Sequence, residues 1–276
     1  MTFGALLMEG KERLRAAQIE EWELDAWYLL EYVTGMSRSR YYLDRECAAK
    51  EAQVLSYREL IGKRSSHIPL QYLTGSQEFM GYSFCVNEQV LIPRQDTEIL
   101  VEEALGHLSP GMEILDLCTG SGCILLAVLK LKPGIKGTGT DLSRGALEIA
   151  EKNRERLQVE AEFLQSNLFE QVEGRYDCIL SNPPYIPSAV IDTLMPEVCR
   201  QEPRMALDGG EDGLYYYREI VRQSPAYLKS GGMLFLEIGY DQAEAAGELL
   251  KQDFTGITVK KDLAGLDRVI YGRLRP

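Results

Sequence analysis

The chain has 276 residues, 45% of them hydrophobic and 26% charged, and a formal net charge of −12. That composition belongs to an ordinary globular protein, long enough to bury roughly three-quarters of its unfolded surface in one large domain or two. It excludes a membrane span, since no apolar stretch approaches the needed length, and it disfavours a protein that grips nucleic acid mainly through phosphates, which needs clustered Lys and Arg.

The chain begins without a basic segment and acquires charge by Glu9 and Lys11, which argues against a signal peptide and leads us to expect a cytoplasmic protein. Only two histidines are present, and the six cysteines, Cys47, Cys85, Cys118, Cys123, Cys178 and Cys199, include no Cys-x-x-Cys pair. No metal is expected, and the thiols fit a reducing compartment. A small basic patch at Arg38, Arg40 and Arg45 leaves room for a local anionic contact.

The first elements read as helices. Ala26, Leu29, Leu30 and Val33 share one face and Gly35 is a C-terminal stop; a second helix is expected from about Cys47 to Ser66, burying Val54, Tyr57 and Ile61. Such a small helical domain must lean on something or recognise something. The segment His67–Gly75 breaks the helical pattern, and Glu78–Asn87 alternates around Gly81 as a β-hairpin. Asp96 or Thr97 is then placed to cap a helix burying Leu100, Ala104 and Leu108.

From residue 112 strands and helices alternate. The strands are Glu113–Leu117, Gly137–Asp141, Glu162–Gln165, Tyr176–Ser181 and Met233–Ile238, and Ser143 is a good cap for the helix through Ala146, Ile149, Ala150 and Leu157. This is a doubly wound α/β sheet. Ile257–Lys261 and Arg268–Arg273 are joined by six residues, too few for a helical crossover, so the last strand enters antiparallel.

Two motifs carry chemistry. Asp116-Leu117-Cys118-Thr119-Gly120-Ser121-Gly122 follows the first strand of this unit and opens a helix, with Gly120 and Gly122 permitting a tight turn against a ligand. Position 125 is Leu, so the dinucleotide fingerprint is incomplete, and no Walker lysine follows. Asp141 ends the next strand, where a carboxylate holds ribose hydroxyls. Acid, glycine turn and second acid together match S-adenosylmethionine-dependent methyltransferases. The second motif, Asn182-Pro183-Pro184-Tyr185, stops the apolar strand Tyr176–Ser181 at the carboxyl edge of the sheet, where such folds bind ligands. By itself it reads equally well as a proline-terminated strand with a capping Asn.

With both motifs present the sequence resembles class I methyltransferases that act on exocyclic or amide nitrogens. Within them it resembles the peptide chain release factor glutamine methyltransferases, through Pro69-Leu70-Gln71-Tyr72-Leu73-Thr74-Gly75, Phe79 with Gly81, Leu91-Ile92-Pro93-Arg94 with Thr97-Glu98, Asn182-Pro183-Pro184-Tyr185-Ile186, Glu237-Ile238-Gly239 and Lys261–Arg268. The resemblance implies a seven-stranded, mostly parallel sheet with a reversed last strand, preceded by a small all-α domain. The expected domains are 1–74 for substrate recognition, 75–90 as a hairpin linker and 91–276 for catalysis. It implies S-adenosylmethionine held by Cys118, Thr119, Gly120, Ser121, Gly122, Asp141, Asn167, Leu168 and Asn182. Substrate falls to Asn182, Pro183, Pro184 and Tyr185, with Asn182, Pro183 and Tyr185 catalytic. The implied reaction methylates the side-chain amide of the glutamine in the Gly-Gly-Gln loop of class 1 release factors, by a monomer needing no direct nucleic-acid contact.

Two positions depart from that family's pattern: Cys118 stands where glycine is common, and Asn167-Leu168 where an acidic–aromatic pair is frequent. In the expected mechanism the Asn182 side-chain oxygen and the Pro183 carbonyl accept the two amide protons, while Tyr185 packs on the amide face. An adenine methyltransferase faces a similar problem with an exocyclic amine, but the acidic charge and the lack of a basic recognition domain weigh against it. A non-catalytic adaptor is disfavoured by the intact motifs.

Overall fold

The computed structural model describes all 276 residues. They form two compact units: Met1–Gly75 with Met195–Gln201, and Ser76–Leu194 with Glu202–Pro276.

The first unit is helical, with α1 (Phe3–Ala16), α2 (Trp22–Thr34), α3 (Arg38–Asp44), α4 (Glu51–Ser65) and α5 (Leu70–Thr74). Leu6, Leu14, Ala26, Leu29, Leu30, Tyr57 and Ile61 make its core. Gly10 of α1 has no side chain because Tyr57 needs the space; a Cβ there would lie 2.1 Å from the Tyr57 hydroxyl, which donates to the Ala26 carbonyl at 3.0 Å. Gly35 ends α2 in the left-handed conformation, as its position suggested. Two expectations need adjustment. The helix expected from Cys47 begins at Glu51, because Ala48 pairs with Thr2 in an isolated bridge and Gln53 closes back on the Lys50 N–H. The segment His67–Gly75 is not all irregular: Pro69 sits just ahead of α5, where a missing N–H costs nothing, and Gly75 caps its other end. Buried Arg64 binds Asp25 at 2.7 Å and Glu197, which belongs to the returning segment Met195–Gln201.

The second unit opens with the antiparallel hairpin β1 (Ser76–Phe79) and β2 (Tyr82–Cys85), followed by α6 (Glu98–His107), β3 (Glu113–Leu117), α7 (Cys123–Leu131), β4 (Lys136–Asp141), α8 (Arg144–Leu157), β5 (Glu162–Gln165) and β6 (Tyr176–Ser181). After the short α9 (Ser188–Ile191), and α10 (Pro196–Gln201) in the other unit, come α11 (Tyr215–Tyr227), β7 (Leu228–Glu237), α12 (Ala243–Leu250), β8 (Phe254–Lys261) and β9 (Asp267–Leu274). The seven strands run β5-β4-β3-β6-β7-β9-β8. All pairs are parallel except those made by β9, which runs antiparallel to both β7 and β8. This is the doubly wound sheet with a reversed last strand that the short Asp262–Asp267 connection demanded.

Each sheet face has its own core. Leu100, Val101, Ile124, Leu125, Val128 and Phe235 lie on one side, together with Phe79 and Phe84 of the hairpin; Leu115, Ile179, Tyr217, Leu234 and Ile270 lie on the other. The hairpin is further tied down by Asn153 of α8, whose side chain accepts from Cys85 N–H at 2.6 Å and donates to the carbonyls of Cys85 and Ser121. Ser143 caps α8 by accepting from Ala146 N–H. Thr97 does not cap α6: it lies in a 3-10 turn, and its side chain makes no capping bond.

Candidate active site

Strand order reverses between β4 and β6, on either side of β3, and a cleft opens at the carboxyl ends of these three strands. Counting its open mouth, it encloses about 940 Å³. One wall is the turn after β3. Thr119 N–H donates to the Thr140 carbonyl at 2.9 Å and the Thr119 hydroxyl to Asp116 Oδ2 at 2.5 Å, which fixes the turn to the two strands beneath it. Asp116 is fully buried and its pKa is pushed up to about 7 by that burial. It shapes the turn and does not line the cleft.

Asp141 closes the same wall. Its Oδ2 accepts from Gly120 N–H at 2.9 Å and its Oδ1 from Ser143 N–H at 2.8 Å. Each carboxylate oxygen has two acceptor positions, so one on each oxygen stays available to a pair of hydroxyls. Burial raises the Asp141 pKa, while the backbone N–H groups pull it back towards the charged form. Cys118 adopts φ +57°, a left-handed conformation easiest for glycine, which explains why a glycine would be the usual choice there. Its thiol is pushed far up by burial and by Asp141.

Across the cleft, Leu168 is buried and Asn167 exposed. Asn167 Nδ2 donates to Glu170 at 2.9 Å, which leaves its Oδ1 as an uncharged acceptor beside the apolar Leu168. This face of the site can hold a flat heterocycle by packing and one hydrogen bond.

The remaining wall is the loop after β6. Ser181 donates to the Leu117 carbonyl at 2.8 Å and pins the end of the strand. Asn182 Nδ2 donates to Thr97 Oγ1 at 3.3 Å, so the side-chain oxygen of Asn182 is the end left for another partner. A second segment latches onto this loop: Ile186 N–H donates to the Leu207 carbonyl, Gly209 N–H to the Ile186 carbonyl and Ser188 N–H to the Gly210 carbonyl. The approach is so close that a Cβ on Gly209 would lie 2.7 Å from Tyr185 Cα. Pro203, Met205 and Ala206 of that segment thereby form a lip of the cleft. Glu202, just before the lip, is bound by Arg94 and accepts from Ile92 N–H.

Of the residues expected at the site, Cys118, Thr119, Gly120, Ser121, Asp141, Asn167, Leu168, Asn182 and Pro184 line this one cleft; Gly122, Pro183 and Tyr185 do not. Gly122 starts α7 at φ +77°, packed so closely that a Cβ would meet Leu126, Ala150 and Phe163 at 3.1–3.2 Å. Pro183 is buried in the loop. Tyr185 was expected to pack on the substrate. Instead its ring joins the core on the far sheet face and its hydroxyl donates to Glu237 Oε1 at 3.2 Å. A buried hydroxyl needs a partner, and the carboxylate supplies it. The Tyr185 carbonyl is held by Gln242 Nε2 at 2.9 Å. Sequence reasoning placed Thr97 as a cap and missed it as a neighbour of Asn182; it also missed Ser143 and Tyr216 as lining residues. No local pattern announces any of these, because each depends on contacts across the fold.

Comparison with known proteins bears on this site. Residues 5–75 match the family model described as the PrmC N-terminal domain, and residues 95–211 match the methyltransferase small domain. A release factor glutamine methyltransferase from Geobacter sulfurreducens is 41% identical over 258 residues, 93% of this chain and 91% of that protein. One from Caulobacter vibrioides is 39% identical over 274 residues, 96% of this chain and 94% of that protein. Among solved structures, a methyltransferase from Pyrococcus furiosus superposes with a TM-score of 0.55 at 16% identity, covering 70% of this chain and 89% of that one. A 16S rRNA methyltransferase from T. thermophilus, in complex with S-adenosylmethionine and guanosine, does so with a TM-score of 0.53 at 20% identity, covering 72% and 50%. At these identities the two structures speak to the fold.

Proposed function

The chain belongs to the release factor glutamine methyltransferase family, and we propose that its cleft methylates the side-chain amide of the glutamine in the Gly-Gly-Gln loop of class 1 release factors. It is an S-adenosylmethionine-dependent methyltransferase with a release factor as substrate. The observation that carries the residue assignment is the orientation of Asn182, whose Nδ2 is spent on Thr97 and whose oxygen is left for a donor.

The donor set suits the cofactor. Asp141 retains two acceptor positions for ribose hydroxyls, the Gly120 backbone is open enough that a Cβ there would touch nothing within 4 Å, and Asn167 with Leu168 offers an acceptor and an apolar face for adenine. Cys118, Thr119, Ser121 and Gly122 complete the turn around the amino-acid portion. When bound, S-adenosylmethionine supplies an electrophilic methyl group on a sulfonium.

An amide nitrogen is a poor nucleophile because its lone pair is delocalised into the carbonyl. Asn182 Oδ1 accepts an amide proton and holds it so that the lone pair is aimed along the attack line, while Pro183, buried and off the cleft, fixes the loop that carries Asn182. Pro184 forms the adjoining wall of the cleft, and Tyr185, anchored to Glu237 and Gln242, keeps the loop rigid from behind. Positioning of this kind can lower a barrier by roughly 7–11 kcal/mol. Loss of the proton can follow methyl transfer, so no strong general base is required.

The helical domain, residues 1–74, serves substrate recognition, residues 75–90 connect it, and residues 91–276 carry out catalysis. The enzyme acts as a cytoplasmic monomer, without direct nucleic-acid contact. No helix is long and apolar enough to cross a membrane. Incubation with labelled S-adenosylmethionine and either purified release factor or adenine-containing nucleic acid tests the reading. Label in the release factor alone supports it; label in the nucleic acid alone overturns it.

A further inference from the structure

We infer that Glu202, through Arg94, is a positioning residue that holds the substrate mouth of the cleft together, and so governs how tightly release factor is held. The inference rests on the reading that the substrate glutamine reaches Asn182 through this mouth.

Part of the mouth has no regular structure of its own. Residues 91–94 belong to no helix or strand, yet Ile92 is only 2% exposed. A buried backbone N–H needs an acceptor. Here Ile92 N–H donates to Glu202 Oε2 at 3.4 Å, while Arg94 binds the other oxygen, Oε1. Pro93, between them, has no N–H to offer. Glu202 thus grips the segment on both sides of Pro93 across 108 residues of chain. Its side chain is 1% exposed and that of Arg94 40%, so a buried carboxylate meets a cation at the cleft surface. A carboxylate this deep needs such a partner.

That contact closes a circuit of bonds around the mouth. Thr97 N–H donates to the Arg94 carbonyl at 3.1 Å, and Thr97 Oγ1 accepts from Asn182. Four residues after Asn182, Ile186 donates to the Leu207 carbonyl at 3.0 Å and accepts from Gly209 N–H at 2.9 Å. From Leu207 the chain runs back through the 3-10 turn Arg204–Ala206 to Glu202. Backbone bonds make most of these joins. The Glu202–Arg94 join is made by side chains, and a single substitution opens it.

The circuit belongs to the substrate side. The lip residues Pro203, Met205 and Ala206 are latched to the loop that carries Asn182 and to the segment that carries Thr97. The groups suited to the cofactor, the turn at Gly120, Asp141 and Asn167 with Leu168, stand on other walls. Opening the circuit therefore frees the wall against which the substrate loop lies. Thr97 keeps its own bond to Asn182, so the reacting end of the site stays in place.

The test compares Glu202→Gln, Arg94→Met and the double variant in the full chain. It measures kcat and KM for release factor, S-adenosylmethionine binding by calorimetry, and folding by thermal denaturation. Glu202→Gln should raise the KM for release factor about 10-fold or more, with kcat within about threefold of wild type. Arg94→Met should raise it further, because the buried carboxylate is then left without its cation. The double variant buries no charge, so its KM should return towards that of Glu202→Gln. Cofactor affinity should stay within a factor of about two in all three. Folded single variants with wild-type KM overturn the proposal. So does a loss of cofactor affinity as large as the rise in KM, which would mean a general loosening of the cleft. A double variant no better than Arg94→Met also overturns it, because Arg94 would then be binding substrate itself. Should Arg94→Met fail to fold, Glu202→Gln still decides by its KM and cofactor affinity. Failure of the underlying reading looks different: there, wild type leaves release factor unmethylated, or Asn182→Ala methylates it at the wild-type rate.

Discussion

Replacing Asp141 by Asn tests the cofactor side of the cleft with almost no change in shape. In the structure both carboxylate oxygens accept backbone protons, from Gly120 at 2.9 Å and Ser143 at 2.8 Å, and the remaining position on each is the one assigned to a ribose hydroxyl. An amide keeps one oxygen and exchanges the other for an NH₂ group, which must then face either a backbone N–H or a ribose hydroxyl that was donating. At least one charge-assisted hydrogen bond to the ribose is lost, worth about 1.5–3 kcal/mol. At 1.4 kcal/mol per tenfold, the affinity for S-adenosylmethionine should fall roughly 10- to 150-fold. Isothermal titration calorimetry reads this directly, and a melting curve without ligand checks that the Gly120 turn has survived. An Asp141→Asn protein that folds normally and binds the cofactor within a factor of about two of wild type would refute the ribose assignment.

Asn182→Ala removes a preorganised polar contact of the kind that supplies about 2.7–4 kcal/mol of transition-state stabilisation, so kcat should fall by about two to three orders of magnitude while the protein remains folded; steady-state kinetics with release factor check it. Gly122→Ala places a Cβ 3.1–3.2 Å from Leu126, Ala150 and Phe163 at φ +77°. Left-handed strain and overpacking together should cost about 2–5 kcal/mol, visible in denaturant melts. Glu237 gives a pH dependence of stability. Burial raises its pKa from 4.5 to about 7, so its contribution is full below pH 4.5 and is lost as pH rises through about 7. At about 1.4 kcal/mol per unit the loss is at most about 3 kcal/mol. Glu237→Gln should therefore gain stability relative to wild type between pH 5 and pH 8. Chemical denaturation at the two pH values checks the sign, and a relative loss at pH 8 contradicts it.

The sheet could be read in the sequence because its strands announce themselves locally: short apolar runs such as Tyr176–Ser181 alternate with helical patterns, and the six residues between Lys261 and Arg268 leave no room for a crossover helix. The glycine turn and Asp141 were legible for the same reason, since φ +56° at Gly120 and a carboxylate at a strand end are requirements a short motif can state. What escaped was set by contacts distant in the chain. Thr97 reads as a helix cap, yet its hydroxyl is committed to Asn182, 85 residues away. Tyr185 reads as a substrate-facing ring, but Glu237, 52 residues later, draws its hydroxyl inward. Met195–Gln201 carries no sign that it groups with the helical residues, because its tie is an ion pair between Glu197 and Arg64. Even α5 was hidden, since Pro69 signals a break in one context and a helix start in another.

Mass spectrometry of a class 1 release factor, after incubation with the enzyme and S-adenosylmethionine, locates the modification to a residue. We expect a single added methyl group on the glutamine of the Gly-Gly-Gln loop, absent when Asn182→Ala replaces the wild-type enzyme. A methyl group found on any other residue, or a release factor left unchanged by active, cofactor-binding enzyme, would contradict it.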